Sequence, residues 1–105
     1  MTTPWIAVDL DGTLAEYEGY KWEGYIGKPI PLMMERVKRW LDKGMKVKIF
    51  TARATDSGEI PYIKKWLSDN GLPDLEITNC KDYGMIELWD DKARRVEINT
   101  GEEIK

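Results

Sequence analysis

At 105 residues and 42% apolar content, the chain is long enough for one hydrophobic core and too short for two. A formal net charge of -3 gives no footprint for general nucleic-acid or acidic-membrane binding, and the lone cysteine, Cys80, excludes an internal disulfide. Histidine is absent, which removes serine triads, cysteine–histidine pairs and histidine-bound zinc, so any catalysis has to use carboxylates, lysine, hydroxyls and a hard metal. No apolar run approaches a membrane span and no basic-then-apolar leader opens the chain, so a soluble, cytoplasmic protein is expected.

The first element is Trp5-Ile6-Ala7-Val8, an apolar run that reads as a buried central strand and leads into Asp9-Leu10-Asp11-Gly12-Thr13. Residues 14–28 are rich in aromatics and glycine without a clean period and read as a loop. Pro29-Ile30-Pro31 then opens a helix, in which Met33, Met34, Val37, Trp40 and Leu41 follow helical spacing, with Gly44 as its stop. Val47–Phe50 is the second strand, where the alternating Lys46 and Lys48 predict one partly exposed face, and it ends in Thr51-Ala52-Arg53. Asp56 or Ser57 can cap a second helix, with Pro61 in its first turn and Ile60, Ile63, Trp66 and Leu67 as its apolar stripe, and Asn70-Gly71 ends it. Leu75–Ile77 is a short third strand running into Thr78-Asn79-Cys80-Lys81. Met85–Trp89 is a fourth, ending in Asp90-Asp91, and Val96–Ile98 a small fifth before the turn Asn99-Thr100-Gly101. Strands alternating with helices predict a parallel sheet with right-handed crossovers, although the third crossover is too short for a full helix.

Parallel strands bring their carboxyl ends to one edge, where open α/β sheets bind ligands. Asp9, Asp11, Thr51, Lys81, Asp90 and Asp91 then share one crevice. Four acids at close range need a cation, and an oxygen-only donor set favours Mg²⁺. A metal, a lysine and a hydroxyl form a cradle for phosphate, beside which one carboxylate can act as nucleophile and another as acid and base. An EF-hand loop fails because Leu14 stands where glycine is needed and Tyr20 where a bidentate glutamate is needed. Lys92, next to the acidic pair, rivals Lys81. Cys80 reads as a small buried filler.

Four features in this order resemble the haloacid dehalogenase-like superfamily of phosphohydrolases: Asp9-Leu10-Asp11-Gly12-Thr13 after a strand, Thr51 ending the next, Lys81, and Asp90-Asp91. The resemblance spans Ile6 to Ala93. It implies an α/β fold: a single Rossmann-like domain over residues 1–105 with a mainly parallel central sheet and helices on its faces; many members of that superfamily carry a cap domain, but here the gaps between the motifs hold only a short aromatic loop, a helix and a strand, so no cap domain is expected. It further implies that Asp9 is a nucleophile forming an aspartyl-phosphate, that Asp11 is the acid and then the base, that Thr51 hydrogen-bonds a phosphoryl oxygen, and that Lys81 neutralises the phosphate. Mg²⁺ would rest on Asp9, the Asp11 backbone carbonyl and the acidic pair, with Asp91 as the direct ligand and Asp90 behind it. Gly12, Ala52, Arg53, Tyr20 and Trp22 are candidate substrate contacts, Arg53 being equally readable as a surface salt bridge.

The function expected is a Mg²⁺-dependent phosphatase acting on a phosphate monoester. A nucleotide or nucleic-acid end fits the aromatic loop, and a phosphorylated small molecule or nucleotide fits the charge better than a long nucleic acid. A small satellite core is the other reading of Tyr17, Tyr20, Trp22 and Tyr25. Without a cap, either that loop or a second subunit of a homo-oligomer has to close the site. The alternative is a non-enzymatic relative that binds metal or phosphate as an interaction module. A receiver domain is excluded because no lone Asp closes a middle strand.

Overall fold

The computed structural model describes residues 3–19 and 21–105. Four strands, β1 (Trp5–Val8), β2 (Lys46–Phe50), β3 (Glu76–Thr78) and β4 (Met85–Trp89), form one sheet in the order β3-β2-β1-β4, and every pairing in it is parallel. The helices α1 (Pro31–Asp42) and α2 (Ile60–Asp69) form the β1–β2 and β2–β3 crossovers. The fold is α/β and Rossmann-like, and no inserted domain separates these elements. A short antiparallel pair, β5 (Arg95–Val96) and β6 (Glu103–Ile104), follows the sheet around the turn at 98–100.

β1 is central because it is apolar throughout. Its neighbours β2 and β4 satisfy both backbone edges, and all four side chains are buried. Ile6 and Val8 share one face with Val47 and Ile49, in register. Met33, Met34 and Val37 of α1 and Ile63 and Leu67 of α2 join them in one apolar cluster. Two right-handed crossovers running in the same direction across a sheet place their helices on the same side. That cluster immobilises the loop after β1 too: Leu10, Leu14 and Ala15 are fully buried, and the Leu10 carbonyl accepts from the N–H groups of Leu14 and Ala15 at 3.0 and 2.9 Å.

The other face carries Trp5, Ala7, Lys48 and Phe50. This face of β2 is partly exposed, as its alternation predicts: Lys46 is exposed and Phe50 half-buried, but Lys48 between them is only 7% exposed. Its ammonium lies 4.3 Å from the Trp5 ring centroid and 3.0 Å from Glu76 Oε2, so ring and carboxylate replace the water it loses. The helix-free connection 79–84 reaches this side as well, where Asp82 Oδ1 accepts the Trp5 indole N–H at 2.8 Å. Cys80 belongs to that connection and is exposed, not the buried filler expected, because among the described residues no helix covers the segment. Among the described residues, no helix is long and apolar enough to cross a membrane.

Candidate functional site

A cleft of about 510 Å³ opens at the carboxyl edge of the sheet, lined on one side by Asp9, Asp11, Asp90, Asp91 and Lys92 and on the other by Thr51, Ala52 and Thr55, with Tyr17, Trp22, Phe50 and Asn79 around it. The ends of β1, β2 and β4 therefore meet as the parallel pattern requires.

Asp9 continues the ladder past β1, its N–H donating to the Trp89 carbonyl at 2.9 Å. This pairing sets Asp9 beside the end of β4, where the chain turns through Asp90 and Asp91. One carboxylate oxygen from each of Asp9, Asp90 and Asp91 lies within 4.8 Å of the other two. Ligand oxygens at about 2.0–2.6 Å from one Mg²⁺ or Ca²⁺ ion span similar separations, so the donor set fits a hard divalent cation. Burial, reinforced by Asp90 and Asp91, raises the Asp9 carboxyl to about 7, with the Thr13 hydroxyl opposing the rise.

Two motif residues act by holding Asp91. Thr13 Oγ1 accepts the Asp91 backbone N–H at 3.0 Å and lies 3.3 Å from both Asp9 Oδ2 and Asp91 Oδ1. Gly12, at φ +89°, lies against the Asp91 carboxylate. These links were not read from the sequence, where Gly12 stood as a candidate substrate contact and Thr13 only as the end of the motif. The local signal was their position directly after the acids.

Thr51 is buried at the cleft floor, and its Oγ1 accepts the Arg53 backbone N–H at 3.1 Å. That bond uses an acceptor lone pair and leaves the hydroxyl proton for a group in the cleft. Arg53 is neither a surface salt bridge nor a cleft-lining side chain. It is fully buried, donating to Asp11 through Nε and Nη2 (both 2.8 Å), to Glu59 Oε1 through Nη1 (2.8 Å) and to the Tyr25 carbonyl through Nη2 (2.7 Å). The Trp22 ring centroid lies 5.5 Å from its guanidinium carbon. Glu59, also buried, was missed in the sequence because it sits among polar turn residues.

Of the two lysines weighed for the cleft, Lys92 lines it and Lys81 does not; Lys81 is exposed on the connection after β3. Ala52 lines the cleft, and Gly12 contributes through its contact with Asp91. Tyr17 and Trp22 stand at the cleft, whereas Tyr20 lies outside the described residues. The segment 22–25 also packs back on the domain: Gly24 N–H donates to Glu59 Oε2 at 3.0 Å, and a Cβ on Gly24 would stand 2.8 Å from the Tyr62 ring. Tyr17 and Trp22 thus line the cleft while the backbone at Gly24 packs on Glu59 and Tyr62, and Tyr17 and Tyr25 stay exposed instead of closing into a satellite core.

No protein-family profile and no curated protein matches the chain. Among solved structures it is similar to a conserved protein from Bacteroides thetaiotaomicron, at 20% identity and a TM-score of 0.67 over 88% of this chain and 78% of that one, a likeness of fold alone.

Proposed function

We propose that this protein is a Mg²⁺-dependent phosphatase of the haloacid dehalogenase-like type, hydrolysing a phosphate monoester through a phosphate ester of Asp9. The observation that carries the reading is the Asp9 carboxylate at the end of β1, within cation-sharing distance of Asp90 and Asp91 in the cleft that also holds Thr51 and Asp11.

A substrate phosphate on the cleft floor accepts the Thr51 hydroxyl proton as a hydrogen bond, and Lys92 offsets its charge in place of Lys81. An Asp9 oxygen attacks phosphorus, the bond to the leaving oxygen breaks, and Asp11 gives that oxygen a proton. Water then attacks the same phosphorus, its proton passes to Asp11, and the bond to Asp9 breaks to release inorganic phosphate. Asp9 and Asp91 would hold Mg²⁺, with the Asp11 carbonyl as a further donor and Asp90 behind Asp91, and the ion would supply positive charge that keeps Asp9 ionised and stabilises the transferring phosphoryl group. The hydrogen-bonded loop 10–15 keeps Asp11 in place beside Asp9 while the phosphoryl group passes from the leaving oxygen to Asp9 and then to water.

Turnover of p-nitrophenyl phosphate with and without Mg²⁺, with Asp9→Asn as the control, tests the reading. Mg²⁺-dependent phosphate release that Asp9→Asn abolishes is expected. Mg²⁺ binding by the wild-type protein without any turnover would favour the non-enzymatic binding module instead.

A further inference from the structure

Asp11 and Trp22 sit on different segments and face the same cleft, and a single buried guanidinium touches both. Arg53 makes two parallel bonds to the Asp11 carboxylate, a third to Glu59 and a fourth to the Tyr25 carbonyl, with the Trp22 ring against it. Glu59 completes the link by binding Arg53 with Oε1 and the Gly24 N–H with Oε2. Each Asp11 oxygen accepts one of these bonds and keeps a second lone pair, so the carboxylate is held from behind while it still faces the cleft. A planar fork fixes both position and rotation of a carboxylate, which an ammonium cannot do.

We infer that Arg53 is a positioning residue for Asp11, and that with Glu59 it ties the Asp11 carboxylate to the aromatic segment 22–25. This rests on the phosphatase reading. A substrate packed against Trp22 is thereby registered against the proton-transfer group, although Trp22 is 11 residues further along the chain than Asp11. A surface salt bridge would have no such consequence, because exposed side chains do not fix one another's orientation.

The test separates the two chemical steps. An aryl phosphate with a good leaving group needs little protonation in the first step, whereas the second still requires Asp11 to take a proton from water. Arg53→Lys is therefore expected to slow dephosphorylation about ten- to a hundredfold, so that phosphoenzyme accumulates as it does in Asp11→Asn. Added to Asp11→Asn, Arg53→Lys should cause no further slowing of dephosphorylation, since the group it positions is already lost. Glu59→Gln leaves both Asp11 bonds in place and should raise the trapped phosphoenzyme by a smaller factor, and it decides the matter if Arg53→Lys does not fold. Equal slowing of both steps, or a further loss in the Asp11→Asn background, would overturn the positioning role and leave a plain structural ion pair. Normal Asp9-dependent turnover with no trapped phosphoenzyme in either variant would overturn it while leaving the phosphatase reading intact. Absence of turnover in the wild-type protein overturns both.

Discussion

A Cβ on Gly12 would stand 2.7 Å from Asp91 Oδ2, so the hydrogen at this position is what lets the Asp91 carboxylate close on Asp9. The backbone there is also left-handed, at φ +89°. Both constraints act against any side chain. Gly12→Ala is expected to lose about 1–2 kcal/mol from the conformational term alone. It should also displace Asp91 and weaken Mg²⁺ binding, read as a smaller thermal stabilisation by added Mg²⁺. A variant that loses stability but keeps the full Mg²⁺-induced shift would show that Asp91 is not a ligand.

Thr13 offers a finer separation. Its hydroxyl accepts from the Asp91 backbone N–H and lies between Asp9 and Asp91. Thr13→Ser keeps the oxygen and should remain close to wild type in Mg²⁺ affinity and turnover. Thr13→Val keeps the shape, leaves the Asp91 N–H without this acceptor and should cost about 1–3 kcal/mol in stability, with lower turnover. Similar behaviour of the two variants would mean that the side chain matters only for packing.

The fold was legible where the physics is local. Trp5–Val8 and Pro31 announce themselves through apolar run length and a fixed φ, and the strand-end acids follow from a parallel arrangement. The Arg53 burial was not legible, because it depends on Asp11, Glu59 and the Tyr25 carbonyl arriving from separate segments. The burial of Lys48 was hidden for the same reason: alternation placed it on the second face, but only Trp5 and Glu76 together make burial of an ammonium there tolerable. Choosing between Lys81 and Lys92 required the path of the chain after β3, which has no periodic signal.

Asp9 makes stability depend on pH. Its carboxyl is raised to about 7 from an ordinary 3.8, so between those values the folded chain keeps a proton that the unfolded chain has released. The stabilisation from this group is therefore full below about pH 4 and is lost as pH rises through about 7. In the metal-free protein the melting temperature should fall across that window more in wild type than in Asp9→Asn. Mg²⁺ should reduce the difference by supplying the missing positive charge. Parallel profiles for the two proteins without metal would contradict the crowding of carboxylates at this site.

Chelation separates the two acids that follow β4. Asp91 is braced by Thr13 and Gly12, whereas Asp90 Oδ1 accepts the Lys92 backbone N–H at 2.7 Å and so has one oxygen engaged in a turn. Removing Mg²⁺ should abolish phosphatase activity and restoring it should recover it. Asp91→Ala should raise the Mg²⁺ concentration needed for half-maximal activity more than Asp90→Ala does. The opposite order would exchange the direct ligand and the residue behind it, and recovery with Zn²⁺ alone would contradict an all-oxygen site.

Trp22 supplies the last prediction, about what the substrate carries beyond its phosphate. The cleft combines a carboxylate cluster with Tyr17, Trp22 and Phe50 at its walls, and Lys92 as its lining cation. A long polyanion needs a basic groove, which one lysine does not provide. A single phosphate attached to a flat, largely uncharged group suits these walls, and stacking of a base on an aromatic ring contributes roughly 1–3 kcal/mol. Because the Trp22 ring also rests against Arg53, its orientation is partly set before substrate arrives, which lowers the ordering cost of binding. Trp22→Ala should raise KM for a nucleoside monophosphate about tenfold, on the basis of that stacking energy, while KM for a small aliphatic phosphate changes little. Trp22→Phe, which keeps a ring, should recover most of the affinity. Equal losses on both substrates, tracking a fall in melting temperature, would instead mean that Trp22 serves only to pack the segment against Arg53.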